Sequence, residues 1–496
     1  MLYKKIFALI LVLILAVSSS AQEYTPGDVI VVLKPSSEGQ VTASSLSASA
    51  SEFAGTFKAS VKEIYPALSV KGGGTFMMIH SESQDAEELA ATLRQNPNVL
   101  AVSPNYKVHA AIVPNDSYYG DCWGMDEINA PSAWNYSTGD DTVYVAVIDS
   151  GIDDTNPDLT ANVATELSYN TVGGTASNGR DDYGHGTHVA GTIGAVGNNS
   201  LGVAGLNWNA KLIAVKALDN SGNGTLSTVI NAVNYVTDLI VNRGINVRAV
   251  NLSLETYLKL EPTHDNLVGL PLWRAFKILD DTNQAVIVVA AGNNQETVGQ
   301  PSKYGHGDMV PGAGYYEYPA SFKGLDNMIS VSALDRTLGY THRATFSNDG
   351  ADIGAPGVDI LSTWLQSASG YIKDDGVSLR STQGTSMAAP HVAGTAALLA
   401  SYLPSTATAY QIRQCILIGD ELDVYASMRF AETDFDTLAA VGTEGRDYDD
   451  YLDYNTKEYS EPVLQNNVGS SGGCGTLSLG LSGAVIVLML ARKRMS

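Results

Sequence analysis

Between residues 141 and 335 the chain sets short, mostly apolar runs against longer amphipathic ones. TVYVAVID (142–149), AKLIAVKAL (210–218), VRAVNLSL (247–254), AVIVVAAGN (285–293) and MISVSALD (328–335) have the length of strands. The stretches from Leu226 to Arg243 and around Leu270 to Asp281 carry the period of helices instead. Apolar strands separated by helices need cover on both faces, as a parallel sheet provides. The pattern predicts an α/β domain with a doubly wound, mainly parallel sheet.

The flanks read differently. GDVIVVLKP (27–35) predicts a strand, DAEELAATLRQ (85–95) an amphipathic helix, and NPNVLAVSPNYKV (96–108) a turn followed by a strand. Together they predict a small α+β unit. Beyond Val441 the chain turns acidic and tyrosine-rich, RDYDDYLDYNTKEYSEP, then NNVGSSGGCG, a composition that favours a solvated linker over 443–475. Residues 476–496 hold an apolar run, Leu477 to Ala491, ahead of Arg492-Lys493-Arg494. The run is short for a spanning helix, which needs about twenty residues, although the basic end suits a positive-inside stop.

With 496 residues, 44% of them hydrophobic, the chain can build a sizeable core. The net charge of -23, from 29 basic and 52 acidic residues, argues against a nucleic-acid partner, because no lysine or arginine cluster stands ready to release counterions. Residues 1–21 run from Lys4-Lys5 through an apolar stretch, Ile6 to Val17, to Ser18-Ser19-Ser20-Ala21. That order predicts a secretory signal cut after Ala21; the run is short for the alternative, a membrane anchor. Three cysteines, Cys122, Cys415 and Cys474, exclude a disulfide-built scaffold, while a Cys122–Cys415 bridge stays open.

Three short stretches carry candidate chemistry. Asp149 in VAVIDSGID closes an apolar strand, and the carboxyl ends of parallel strands face the functional crevice. An Asp before Gly also starts ordinary turns. In DYGHGTHVAG (182–191), glycines flank His185 and leave its imidazole open to a substrate. His185 and His188 as metal ligands form the competing reading, which lacks a third ligand and the Glu of an HExxH pattern. In GTSMAAPHVAG (384–394), Ser386 stands at the start of a predicted helix, where free N–H groups and the helix dipole stabilise a developing oxyanion. Pro390 is expected in the first helical turn, which has no N–H bond to lose.

With these motifs in this order, the chain resembles the subtilisin-like serine proteases over roughly Pro114 to Val441. The resemblance implies that Asp149 supports His185, that His185 is general base and then acid, and that Ser386 is the nucleophile. AAGN (290–293) matches the family's oxyanion-hole segment, which implies an Asn293 amide donor. Ser253, Leu254 and Gly292 match the segments that bind the substrate backbone. Two glycines usually follow Ser-Leu in the family, whereas Glu255 and Thr256 stand here. Glu255 reads either as a rim carboxylate favouring basic side chains or as a solvent-facing one. The segment from Gln295 to Glu317 reads as an insertion beside the pocket.

The resemblance also maps structural calcium ligands onto Asp158, Asn199, Asp116 and the carbonyls of Leu201 and Val203, with Cys122 replacing the usual glutamine. It implies no catalytic cofactor. Residues 22–110 resemble the family's ferredoxin-like inhibitory propeptides, cut between His109 and Asn115; a permanent accessory domain is the alternative. The end resembles bacterial sorting tails, processed near Ser470-Ser471-Gly472-Gly473-Cys474-Gly475, with a plain membrane anchor as the alternative. The expectation is a secreted or envelope-bound monomeric endopeptidase, made as a zymogen, with 111–442 as its catalytic domain. It would act on polypeptides and be inhibited by its own propeptide, with a sorting protease or the membrane as partner at the tail. A catalytically silent surface binding protein on the same fold is the competing class.

Overall fold

The computed structural model describes residues 24–34, 43–72, 74–107, 112–173, 178–303, 314–337, 340–368 and 370–441. They belong to a compact unit running from Met1 to Thr443; the second unit, Glu444–Ser496, lies outside the described residues, as do the expected signal and tail.

The N-terminal part builds strands β1 (Tyr24–Leu33), β2 (Ser60–Ile64), β3 (Phe76–His80) and β4 (Val99–Tyr106), and helices α1 (Ala43–Thr56), α2 (Pro66–Gly72) and α3 (Ala86–Arg94). The strands form an antiparallel sheet in the order β2-β3-β1-β4, the split arrangement of ferredoxin-like units. Asp85, at the predicted start of α3, caps it by accepting the Glu87 N–H at 2.9 Å. Leu89, Ala90 and Leu93 of α3 and Val29, Val31, Met77 and Ile79 of the sheet form its core.

The larger part holds β5 (Tyr144–Asp149), β6 (Tyr169–Asn170), β7 (Lys211–Lys216), β8 (Val247–Leu252), β9 (Thr256–Leu258), β10 (Val286–Ala290), β11 (Tyr316–Tyr318), β12 (Met328–Thr337), β13 (Tyr340–Arg343), β14 (Ile353–Pro356), β15 (Ile360–Thr363) and β16 (Leu379–Thr382). Its longer helices are α4 (His185–Gly194), α5 (Leu226–Val241), α6 (Pro271–Asp281), α7 (Thr385–Tyr402), α8 (Ala409–Ile416) and α9 (Val424–Val441). The main sheet runs β13-β12-β10-β8-β5-β7-β6, with β14 also on β12; only β13 is antiparallel to its neighbour. Strands β9 and β11 make a separate antiparallel ribbon.

Alternation along β5 shows why the sheet is covered on both faces. Val145 and Val147 enter one core with α4 and α7, while Ala146 and Ile148 enter another with α5 and α6. β5 lies between β7 and β8, so successive crossovers leave it in opposite directions and open a crevice at its carboxyl end. Asp149 is the last residue of that strand.

Helix α7 runs through the core against β8, β10 and β12, and small residues such as Ala388, Ala389, Ala393 and Ala396 let it do so. α4 is seated as tightly. A Cβ at Gly191 would overlap the hydroxyls of Ser362 and Thr363 on β15, and neither is free to yield. Ser362 Oγ donates to the His188 carbonyl at 2.7 Å and Thr363 Oγ1 to the Thr187 carbonyl at 2.8 Å. Gly191→Ala should therefore lower stability by about 1–3 kcal/mol, the usual cost of overpacking. Calorimetric melting measures it, and a variant melting with the wild type would show that α4 has room to move.

Candidate active site

Asp149 is fully buried at the end of β5. Its Oδ1 accepts the Ser150 N–H at 2.7 Å, and both carboxylate oxygens face His185 Nδ1, at 2.8 and 3.0 Å. A carboxylate only accepts, so the neutral imidazole carries its proton on Nδ1 and presents a lone pair on Nε2. The His185 side chain is 24% exposed and lines the cleft. Burial alone would depress its pKa, but the charge and hydrogen bond of Asp149, with Asp181 behind them, outweigh that and raise it above the ordinary histidine value.

The local sequence fixes the first turn of α4 around this pair. Asp181 accepts from the backbone N–H groups of Tyr183, Gly184 and Thr187 at 2.9, 3.0 and 2.9 Å, satisfying donors the helix start leaves open. Ser150 Oγ accepts the Gly186 N–H at 2.9 Å. The flanking glycines also have a packing job. Gly184 has φ +106° and packs on the Trp364 indole, and a Cβ at Gly186 would overlap the Gly151 carbonyl. They bring the helix start onto the β5 turn, which delivers the imidazole to Asp149.

Ser386 is the second residue of α7, behind Gly384 at φ +147°. Among the described residues its backbone N–H meets no acceptor, as the first turn of a helix dictates. Its hydroxyl donates weakly to the Ser253 carbonyl at 3.4 Å, and no hydrogen bond joins it to His185, although both line one cleft. Catalytic hydrogen bonds are often loose before substrate enters. Pro390 stands apart from its expected place. It is the sixth residue of the helix, so it removes a bond to the Ser386 carbonyl. That carbonyl accepts the Ser253 hydroxyl instead, at 2.9 Å, and Asn251 Nδ2 in turn donates to Ser253 Oγ at 2.9 Å.

Asn293 Oδ1 accepts the Thr385 N–H at 2.8 Å and the Thr385 hydroxyl at 3.2 Å. Since a backbone N–H can only donate, this fixes which way the amide lies and leaves Nδ2 for the cleft. Leu254, Glu255 and Thr256 line the same cleft of about 440 Å³, whose walls all come from residues between Tyr183 and Ser386. Gly292, at φ +103°, packs on the buried carboxyl of Glu317, and its N–H donates to Thr385 Oγ1 at 3.1 Å.

Other predicted residues fall elsewhere. His188 is buried away from His185, its Nε2 directed at the Ile360 and Arg380 carbonyls at 2.9 and 3.0 Å, and burial pushes its pKa down to about 3. Cys122 and Cys415 are buried and free, so the open question of a bridge is answered in the negative. Asp158 is buried, accepts from Asn199 Nδ2 and the Val203 N–H at 2.8 Å each, and lies near Asp116 and Asp375. Asp116 accepts the Asn198 N–H at 2.6 Å, and the Leu201 N–H donates to Asn199 Oδ1 at 2.7 Å. Among the described residues no three His, Cys, Asp or Glu side chains gather as a metal cluster, so a cation here would depend on carbonyl and amide oxygens as well. No helix among them is long and apolar enough to cross a membrane.

Sequence reasoning missed Asp181, Ser150, Asn251, Thr385 and Glu317. For Asp181 the signal was there, an Asp three residues ahead of the glycine that opens a helix. Glu317 had none.

Residues 140–419 match the family model described as the subtilase family. The chain is 36% identical over 324 residues to a thermophilic serine proteinase of Bacillus sp. strain AK1, covering 64% of this chain and 67% of that protein. It is 34% identical over 354 residues to subtilisin E of Bacillus subtilis, covering 70% and 77%. An extracellular protease of Xanthomonas campestris matches at 34% over 360 residues, covering 65% and 56%. A solved structure of proteases from Pseudoalteromonas arctica superposes with a TM-score of 0.50 at 26% identity, over 64% of this chain and all of that one. The chain belongs to the subtilase family, whose members are serine endopeptidases acting on polypeptides.

Proposed function

We propose that this subtilase is secreted as a zymogen and cleaves peptide bonds with Ser386 as nucleophile, His185 as general base and acid, Asp149 as its support and Asn293 as oxyanion donor. The carrying observation is the double approach of the buried Asp149 carboxylate to His185 Nδ1, at 2.8 and 3.0 Å. As Ser386 Oγ bonds to the scissile carbonyl carbon, its proton passes to His185 Nε2. The carbonyl π-electrons move to oxygen, where Asn293 Nδ2 and the Ser386 N–H stabilise the charge. Collapse expels the amine, which takes the proton from His185 and leaves an acyl-enzyme; water repeats the sequence and frees the acid. Ser253, Leu254, Glu255 and Gly292 receive the substrate backbone in extended form.

Residues 22–110 act in this reading as the inhibitory propeptide. The ferredoxin-like sheet supports that, as does the Arg429 guanidinium of α9 lying 5.0 Å from the Tyr106 ring at the end of β4. Secretion and a processed tail rest on the sequence of both termini, and the Xanthomonas relative is named an extracellular protease.

Calcium is proposed as a structural ligand of Asp158, Asn199, Asp116 and the Leu201 and Val203 carbonyls. The oxygen donor set fits a hard cation. Burial pushes the Asp158 carboxyl up to about 7, with Asp116 and Asp375 adding to it against hydrogen bonds from Asn199 and Val203. A bound cation would neutralise that charge and brace the loop.

Three outcomes test these readings. A small phosphonylating serine reagent should modify mature protein at Ser386 and fail on Ser386→Ala, read by mass spectrometry; an unmodified wild type would favour the silent binding protein. The acid limb of kcat/KM should lie above the ordinary histidine value of about 6.5, because the base must be neutral. Asp149→Asn should move that limb down and cost about 10⁴-fold in kcat; an unmoved limb would remove Asp149 from the role. The folded Asp158 binds its proton more tightly than the unfolded one, so its contribution is full below about pH 4 and is lost as pH rises towards 7. Calcium prefers the ionised form, so its stabilisation should grow with pH, reaching about 2.7 kcal/mol at a hundredfold excess over Kd. A Tm indifferent to calcium and chelator near pH 7 would remove the site.

A further inference from the structure

We propose that Glu317, working with Glu255, selects a cationic side chain, lysine or arginine, on the substrate residue that supplies the scissile carbonyl. This rests on the protease reading above and adds the substrate class to it.

Strand register brings the two acids together. In the β9–β11 ribbon, Glu317 stands directly opposite Tyr257. Glu255 immediately precedes β9, two residues before Tyr257 and within diagonal reach of Glu317. Glu317 is only 4% exposed. Its Oε2 accepts from the Tyr257 hydroxyl at 2.9 Å and from Asn348 Nδ2 at 2.6 Å. Its Oε1 is buried with neither an N–H nor a basic side chain on it, the Glu255 carboxyl being the group beside it, and Glu317 makes no ion pair among the described residues.

A buried carboxylate oxygen without a donor is costly, and a cation is the partner that relieves it. In the empty site the Glu255 carboxyl is what stands beside Glu317, and two carboxyls share a site by keeping a proton between them. Consistent with this, burial first and Glu255 second hold the Glu317 carboxyl well above the usual range.

The place is the right one for recognition. Glu317 packs on Gly292, whose successor Asn293 faces the oxyanion position, and Glu255 lines the cleft with Ser386. A side chain carried by the residue whose carbonyl lies on Asn293 thus meets Glu255 at the cleft wall, with Glu317 buried behind it, while Leu254 and Pro319 cover its aliphatic stem.

The test compares peptides that differ only in that residue, Arg, Lys, Leu or Glu, on mature protein whose active serine has been titrated by the reagent above. Arg and Lys peptides should exceed Leu by at least tenfold in kcat/KM, and Glu should be the worst. Glu317→Gln, which keeps contacts to Tyr257 and Asn348, should narrow the Arg-over-Leu ratio about tenfold, mainly through KM. Glu255→Gln, at the cleft edge, should narrow it too and serves if the buried variant fails to fold. Equal rates for Arg and Leu with an intact serine titre would overturn the inference and leave the protease reading standing. Equal losses on every peptide in both variants would also overturn it, since that is what a merely structural acid predicts. An unreactive serine would overturn the protease reading itself.

Discussion

Stripping Asp149 of water is the constraint around which the larger part of the molecule is arranged. An isolated buried carboxylate costs several kcal/mol, offset only by donors fixed in place. Two are supplied, the Ser150 N–H from the turn after β5 and the imidazole of His185 from the next helix. Each donor imposes its own geometry. Gly151 turns the chain at φ +109°, and the start of α4 closes on that turn so tightly that Gly186 admits no side chain. The same contact that makes the buried charge tolerable orients the His185 imidazole in the cleft.

The Ser386 side of the cleft is organised by backbone groups that helix termini leave open. Asn293 takes up the Thr385 N–H, Ser253 takes up the carbonyl that Pro390 releases, and the Ser386 N–H is left without an acceptor among the described residues. Proline six residues into a helix normally weakens it. Here it gives the β8 end a handle on α7, so the strand that would receive substrate and the helix carrying the serine are tied to each other.

Much of this was legible in the chain. Five strands of the main sheet, β5, β7, β8, β10 and β12, announce themselves because burial on both faces forces unbroken apolar runs, whereas the short β6, β13 and β14 do not, and α3 could be read to the residue because Asp85 caps it. Asp149, His185, Asn293 and Ser386 stand in short motifs whose chemistry is local. α1 was missed because its packed face is mostly small: Leu46, Ala50, Phe53 and Ala54 keep helical spacing, but only Leu46 and Phe53 are bulky among many serines and alanines. The packing role of the glycines was not legible because a clash belongs to a partner far away in sequence, Trp364 for Gly184. Glu317 could not be found at all: its meaning lies in the register of a three-residue strand against Tyr257 and in proximity to Glu255, neither of which has a sequence signature.

The Asp149 carboxylate holds the His185 proton on Nδ1 and raises the basicity of the ring. Nuclear magnetic resonance of protein carrying ¹⁵N-histidine, in mature enzyme without substrate, addresses it directly. A far-downfield Nδ1 proton assigned to His185, coupled to a ring titrating above about 6.5 and lost in Asp149→Asn, is the predicted result. A ring protonated on Nε2, or one that titrates below the ordinary histidine range and ignores Asp149→Asn, would contradict it.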